Sequence, residues 1–199
     1  NGKPWIGYYD AANFKYYLVT NSAADGSGDW SFFQFPVNGK TATATAPATD
    51  ETAVVMSWSS GVAKPVLIVL NGTAAGGSGV RAAKLDPTTG VYAPIATIDA
   101  LGASFGTSLS AASSTNGTMS IAYYDITATR MEVSISDDGL NWLATPVQVS
   151  TATTGREGVS VAINPSNGRP AVSYYDRANS TLYYARCTSD FASCSAGAN

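Results

Sequence analysis

One phrase recurs three times in this chain: Gly7-Tyr8-Tyr9-Asp10, Ala122-Tyr123-Tyr124-Asp125 and Ser173-Tyr174-Tyr175-Asp176. Each copy follows an Asn-Gly pair, at Asn1-Gly2, Asn116-Gly117 and Asn167-Gly168. A degraded copy lies between the first two, where Lys64-Pro65 repeats Lys3-Pro4 and Val69-Leu70-Asn71 replaces Tyr-Tyr-Asp. Self-similarity at a long period dictates an array of like supersecondary units. Copies that start near 1, 62, 116 and 167 are spaced for a four-stranded propeller blade and not for a helical repeat. The expected fold is all-β: a single β-propeller over residues 1–199, built of four blade-like, four-stranded antiparallel meanders.

The last copy shows the unit most clearly. Gly158 to Ile163 alternates, residues 164–168 form an Asn-Pro-Ser-Asn-Gly turn, and Pro170 to Tyr175 is a second strand. Thr181 to Arg186 makes a third strand, and a short fourth is expected from Phe191. The third copy predicts strands at Ser108–Ala112, Met119–Tyr124, Arg130–Ile135 and Trp142–Val149. The second predicts Thr52–Trp58, Pro65–Leu70, Arg81–Leu85 and Tyr92–Ile98. The first copy offers only Pro4–Tyr9, Lys15–Val19 and Trp30–Phe35, so the first blade lacks its inner strand. That leaves a backbone edge at Pro4–Tyr9, for which a partner subunit or upstream residues are the expected cover; the small-residue tail after Cys194 is the weakest option.

Tyr8, Tyr123 and Tyr174 share a strand face with Ile6, Ile121 and Val172, while Gly7, Ala122 and Ser173 point the other way. Large residues on one sheet facing small ones on the next suit close packing, so all three tyrosines are expected in the core. Asp10, Asp125 and Asp176 end their strands and are expected to cap the following turns through their carboxylates; Asn71 would do the same in the weak copy.

The phrases "NGKPWIGYYDAANFKYY" and "NGRPAVSYYDRANSTLYYARC" resemble the Tyr-Tyr-Asp repeats of secreted bacterial proteins of β-propeller type. Asp137-Asp138-Gly139-Leu140-Asn141-Trp142 is similar to the "DxGxxW" core of the Asp-box hairpin of sialidase-like propellers, with Ile135 where a hydroxyl residue usually opens the motif. Asp25 to Trp30 is a looser version. The resemblance implies that Asp137, Gly139 and Trp142 stabilise an outer hairpin, away from any central pocket.

Only 13 % of the residues are charged, the net charge is −3, and the eleven Lys and Arg are scattered. Nucleic acid is therefore excluded as an expected partner, and so is membrane insertion, since no apolar run is long enough. The absence of histidine rules out Ser-His-Asp and Cys-His catalysis and histidine-based metal sites, and no cofactor is expected. The glycine-rich segment 71–79 lacks the Gly-Lys-Ser/Thr ending of a phosphate loop. Arg156-Glu157 opens the last repeat where a side chain would reach a central channel, or would be a solvated turn pair. Cys187 and Cys194 are spaced for a disulfide that pins a hairpin in an oxidising compartment, with two free thiols as the alternative.

These features converge on a non-enzymatic extracellular recognition or adhesion module that binds a glycan or protein at a cell surface. Trp5, Tyr17, Trp58 and Tyr183 are its expected exposed contacts, able to stack on sugars or fill hot spots. The alternative is a structural subunit of a surface layer, sheath or filament, joined at the edge of the first blade. A propeller glycosidase or lyase would need facing carboxylates, which the sequence does not identify.

Overall fold

A computed structural model of the chain describes residues 2–39, 50–58, 61–72, 78–102, 107–149, 156–188 and 193–198. Its strands in chain order are β1 (Trp5–Asp10), β2 (Lys15–Asn21), β3 (Trp30–Asn38), β4 (Glu51–Ser57), β5 (Lys64–Leu70), β6 (Ser78–Asp86), β7 (Val91–Tyr92) and β8 (Ala96–Gly102). There follow β9 (Thr107–Ser113), β10 (Met119–Asp125), β11 (Arg130–Ser136), β12 (Val147–Gln148), β13 (Arg156–Ile163), β14 (Pro170–Asp176), β15 (Thr181–Cys187) and β16 (Cys194–Ala198). No α-helix occurs among the described residues.

Every sheet is an antiparallel meander of chain neighbours. Sheet I is β1-β2-β3 and sheet II is β4-β5-β6, with both β7 and β8 on the far edge of β6. Sheet III is β9-β10-β11-β12, and sheet IV is β13-β14-β15-β16. The repeats therefore superpose as β1, β5, β10 and β14, the strands that carry the Tyr-Tyr-Asp phrase or its weak copy. The expected fourth strand at Tyr92–Ile98 divides into β7 and β8 around Pro94, which has no N–H to give a ladder. The one at Trp142–Val149 shrinks to β12, because residues 137–146 are used by the hairpin loop. In sheet IV the fourth strand is Cys194–Ala198, and the start expected at Phe191 lies outside the described residues.

The tail thus pairs with β15 and is not available to β1, whose outer edge has no ladder partner among the described residues. Cys187 and Cys194 face each other across this last ladder and are bonded. A disulfide is consistent with an oxidising environment. Among the described residues no helix is long and apolar enough to cross a membrane.

The aspartates cap as expected. Asp10 Oδ1 accepts from the N–H groups of Ala12 (3.0 Å) and Asn13 (3.2 Å), Asp125 Oδ1 from Thr127 (2.7 Å) and Ala128 (3.0 Å), and Asp176 Oδ1 from Ala178 (3.1 Å) and Asn179 (3.4 Å). Each satisfies turn donors that would otherwise compete for water. Asn71, just after β5, lies in the left-handed region and its N–H donates to Gly79 O, while the turn it is expected to cap, residues 73–77, lies outside the described residues.

Three apolar clusters fill the gaps between consecutive sheets. Tyr16, Leu18 and Phe35 of sheet I meet Leu67, Val69 and Leu85 of sheet II. The other face of sheet II, with Val66, Ile68 and Val80, meets Ile121 and Tyr123 of sheet III. Tyr124, Met131 and Val133, on the far side of sheet III, meet Val161, Val172 and Tyr174 of sheet IV. Each fully buried side chain of this size contributes roughly 1.5–3 kcal/mol. Gly7 in sheet I lets the backbone come close to Leu67 and Val54, which a Cβ would meet at 2.8 and 2.9 Å.

The first strands of sheets II, III and IV lie side by side, β4 against β9 and β9 against β13. Side chains pin them: Glu51 accepts from the N–H of Ser108 (2.9 Å) and Leu109 (2.6 Å), while Ser108 and Ser110 hydroxyls accept from Gly158 N and Val161 N, both at 3.1 Å. Among the described residues, sheet I has no strand equivalent to these, and its first strand, β1, lies against β4. Its tyrosine is correspondingly different: Tyr123 and Tyr174 are 0 % and 2 % exposed, but Tyr8 is only half-buried. Tyr8 was expected in the core and is not, because among the described residues no sheet covers its face.

Candidate functional site

The residues expected to form a contact surface do not converge. Trp5 lies in the gap between sheets I and II, its ring 6.2 Å from that of Phe33. Tyr183 lies in the gap between sheets III and IV, stacked on Tyr174 at 5.3 Å. Both are partly buried packing residues and not exposed contacts; period-2 alternation cannot reveal that a neighbouring sheet covers each face. Trp58 is 48 % exposed at the end of β4, beside the Asn116-Gly117 turn. Tyr17 stacks on Tyr8 with ring centroids 5.3 Å apart and planes 20° from parallel, on the outer face of sheet I.

That outer face is one of two apolar surfaces that the stack leaves open. On sheet I, Ile6, Val19 and Phe32 align across the three strands, with Val19 buried between its neighbours, and Tyr8 pairs with Tyr17 one step along. Ile6 is 47 % and Phe32 62 % exposed, and Trp30 on the same strand edge is 41 % exposed. On sheet IV the far face carries Tyr175 opposite Leu182 and Ser173 opposite Tyr184. Tyr175, Leu182 and Tyr184 are 40 %, 53 % and 42 % exposed. No core cluster joins sheet I to sheet IV among the described residues. Apolar side chains gathered on one face, unlike scattered ones, mark interaction surfaces.

The outer hairpin of sheet III is held by a carboxylate one residue later than its motif implies. Asp138, not Asp137, accepts from Leu140 N (2.8 Å), Asn141 N (2.7 Å) and Asn141 Nδ2 (2.7 Å), and Ser136 Oγ accepts from Gly139 N at 2.9 Å. Burial pushes the Asp138 carboxyl up, but the donors of Asn141, Leu140 and Ser136 outweigh it and bring the group down to about 2. Gly139 turns at φ 75°, a conformation that favours glycine, and Trp142 packs against the cluster between sheets II and III. The hairpin docks on sheet II, since Ser57 Oγ (3.1 Å) and Lys84 Nζ (2.8 Å) both donate to Asp138 O. Asp138→Ala is therefore expected to cost about 1–2 kcal/mol in chemical denaturation, and Asp137→Ala under about 0.5 kcal/mol. In the looser copy of the motif, buried Asn21 performs the holding: its Oδ1 accepts from Ala23 N and Gly28 N, and its Nδ2 donates to Gly26 O and Gly28 O.

Sequence reading missed a polar cluster between sheets II and III. Tyr123 Oη lies 2.9 Å from Asp99 Oδ2 and 2.8 Å from Glu132 Oε2, and Arg130 bonds Glu132 Oε1 through Nε at 2.5 Å. Glu132 is 1 % exposed at its side chain, and burial pushes its carboxyl up to about 7, against the pull of Arg130. Burial, Glu132 and Asp99 all hold the Tyr123 phenol well above its ordinary value. With Asp125, these carboxylates form the one grouping of metal-ligand type among the described residues, their oxygens within 4.8 Å of one another. Their lone pairs already serve Tyr123, Arg130 and the turn after Asp125, which suits a structural network. A second network joins sheets I and II, where Tyr16 Oη donates to Asp50 and lies 3.2 Å from Leu70 O, and Arg81 donates to Gly72 O. The side chains of Arg156 and Glu157, and most of the glycine-rich segment, lie outside the described residues.

No family model matches this chain, and no curated protein matches it.

Proposed function

We propose that this chain is a non-enzymatic extracellular recognition or adhesion module of β-propeller type, whose four sheets are blades. The observation that carries the reading is the pair of open apolar faces, on sheet I around Ile6, Tyr17 and Phe32 and on sheet IV around Tyr175, Leu182 and Tyr184. Aromatic rings with a polar tip supply large contact area at low entropic cost, which favours recognition. The apolar character of both faces supports a protein partner over a glycan, since a sugar site needs polar groups fixed around the ring. The grouped carboxylates Asp99 and Glu132 are engaged in internal bonds with Tyr123 and Arg130, which supports the non-enzymatic reading. Extracellular placement is supported by the Cys187–Cys194 disulfide.

The test presents the purified chain to a glycan array and to a panel of extracellular matrix and cell-surface proteins. Binding is expected to at least one surface, weakened tenfold or more by Tyr17→Ala or Tyr184→Ala and unchanged by a remote surface substitution. No binding to any member, self included, would refute the reading.

The structural-subunit reading is the second, favoured by the open outer edge of β1 together with the two uncovered faces.

A further inference from the structure

The two open faces are halves of one interface that the chain already makes elsewhere. In the gap between sheets III and IV, sheet IV presents Tyr174 stacked on Tyr183, with Val172 beside them. Sheet I presents the same set at the same repeat positions: Tyr8 stacked on Tyr17, with Ile6 beside them. The stacks match in detail, with centroids 5.3 Å apart in both and planes 14° and 20° from parallel. The receiving surface is repeated too. Sheet III receives Tyr174 on Ala122, Tyr124, Met131 and Val133, with Tyr124 opposite Met131 and Ala122 opposite Val133. Sheet IV carries Ser173, Tyr175, Leu182 and Tyr184 in the same register, with Tyr175 opposite Leu182 and Ser173 opposite Tyr184.

Exposure separates the used copy from the unused one. Tyr124, Met131 and Val133 are 3 %, 1 % and 0 % exposed under sheet IV. Their counterparts Tyr175, Leu182 and Tyr184 are 40 %, 53 % and 42 % exposed, with no sheet packed on them among the described residues. Sheet I is thus an inserting face without a receiver, and sheet IV a receiving face without an insert. Neither is complementary to itself, so a symmetric face-to-face dimer would bury like against like.

We propose that the occupant of each face is a second copy of this chain, with sheet I of one copy packed on sheet IV of the next. The inference rests on the recognition reading above and names its partner. Such a contact is heterologous: each copy uses two different surfaces, so copies add head to tail until a ring closes or a filament grows. The pairing continues the spacing of sheets I to IV across the boundary between copies, and it brings the open edge of β1 beside the first strand of the neighbour's last sheet.

The experiment measures mass by sedimentation and light scattering over a dilution series of the wild type, Tyr17→Asp (inserting face), Tyr184→Asp (receiving face) and a mixture of the two. The wild type is expected to gain mass with concentration. Each variant alone loses association about thirtyfold or more, as for loss of a hot spot. The mixture restores a 1:1 complex and nothing larger, because each variant keeps one intact face of opposite kind. Both substitutions alter exposed or half-exposed rings, and circular dichroism checks that the folds are retained. Should one variant misfold, hydrogen exchange of the wild type replaces it, with β2 and β15 expected to gain protection together on concentration. A wild type that stays monomeric at its solubility limit overturns the proposal, as does a dimer that Tyr184→Asp abolishes but the mixture fails to restore. A monomer that binds a foreign protein or glycan, and loses it through Tyr184→Asp, overturns self-association while leaving the recognition reading intact.

Discussion

Tyr174→Ala should lower stability by about 3–5 kcal/mol, whereas Tyr8→Ala, at the same place in the same phrase, should cost about 1 kcal/mol or less in dilute solution. Tyr174 is 2 % exposed, stacks on Tyr183 and sits in the cluster between sheets III and IV. Its removal leaves a cavity bounded by strands already anchored on both sides, which can relax only partly. Tyr8 has an equivalent stack on Tyr17, but its outer side faces solvent, so water fills what the alanine vacates. Urea denaturation at low protein concentration separates the two variants. Equal losses would mean that sheet I is covered within the chain, and the open-stack description would fall. At concentrations where copies associate, the Tyr8→Ala loss should grow toward that of Tyr174→Ala.

That contrast also shows which level of the structure was legible from residues. The meander, the strands around Tyr-Tyr-Asp, the capping role of Asp10, Asp125 and Asp176 and the pairing of the cysteines all follow from period-2 alternation, turn chemistry and short spacing, which are local. Burial of Tyr8, Trp5 and Tyr183 depends on whether another sheet lies above the face, which no local pattern encodes. Glu132 illustrates the same limit. In Met131-Glu132-Val133-Ser134-Ile135-Ser136 the alternation puts polar residues on one face, which reads as a solvent face. Here both faces of sheet III are covered, so Glu132, Ser134 and Ser136 are buried; Glu132 meets Tyr123, and Ser136 holds the turn at Asp138 and Gly139. A charged residue within a repeat whose sheets are expected to be sandwiched was the available signal. The shift from Asp137 to Asp138 is of another kind: with two adjacent aspartates, the motif spacing selects one, but the turn uses the one whose carboxylate reaches the N–H groups of Leu140 and Asn141.

The network around Glu132 should make the protein less stable as the pH rises from about 5 to 7.5. The phenol of Tyr123 has one proton and lies between two carboxyl oxygens, at 2.9 Å from Asp99 and 2.8 Å from Glu132. It can donate to only one of them, so the arrangement is satisfied best when Glu132 holds a second proton. Burial is the larger cause of the rise in the Glu132 carboxyl to about 7, and Asp99 adds to it, while Tyr123 and Arg130 act against it. A carboxyl whose folded value exceeds its unfolded value binds its proton more tightly in the native state. Its stabilisation is full below the unfolded value, near 4.5, and is lost as the pH rises through about 7. The loss amounts to about 3 kcal/mol at most, from the difference between those values. Asp138 works in a separate window: its depressed carboxyl supports the fold above about pH 4 and loses that effect on acidification toward 2. Glu132→Gln keeps a neutral, hydrogen-bonding side chain of the same shape next to Tyr123. Its urea midpoint should therefore stay level between pH 5 and 7.5 where that of the wild type falls, even if the lost ion pair with Arg130 lowers both points of the variant alike. Parallel profiles for the two proteins would show that Arg130 keeps Glu132 ionised throughout, and that the proton shared with Tyr123 is absent from the native state.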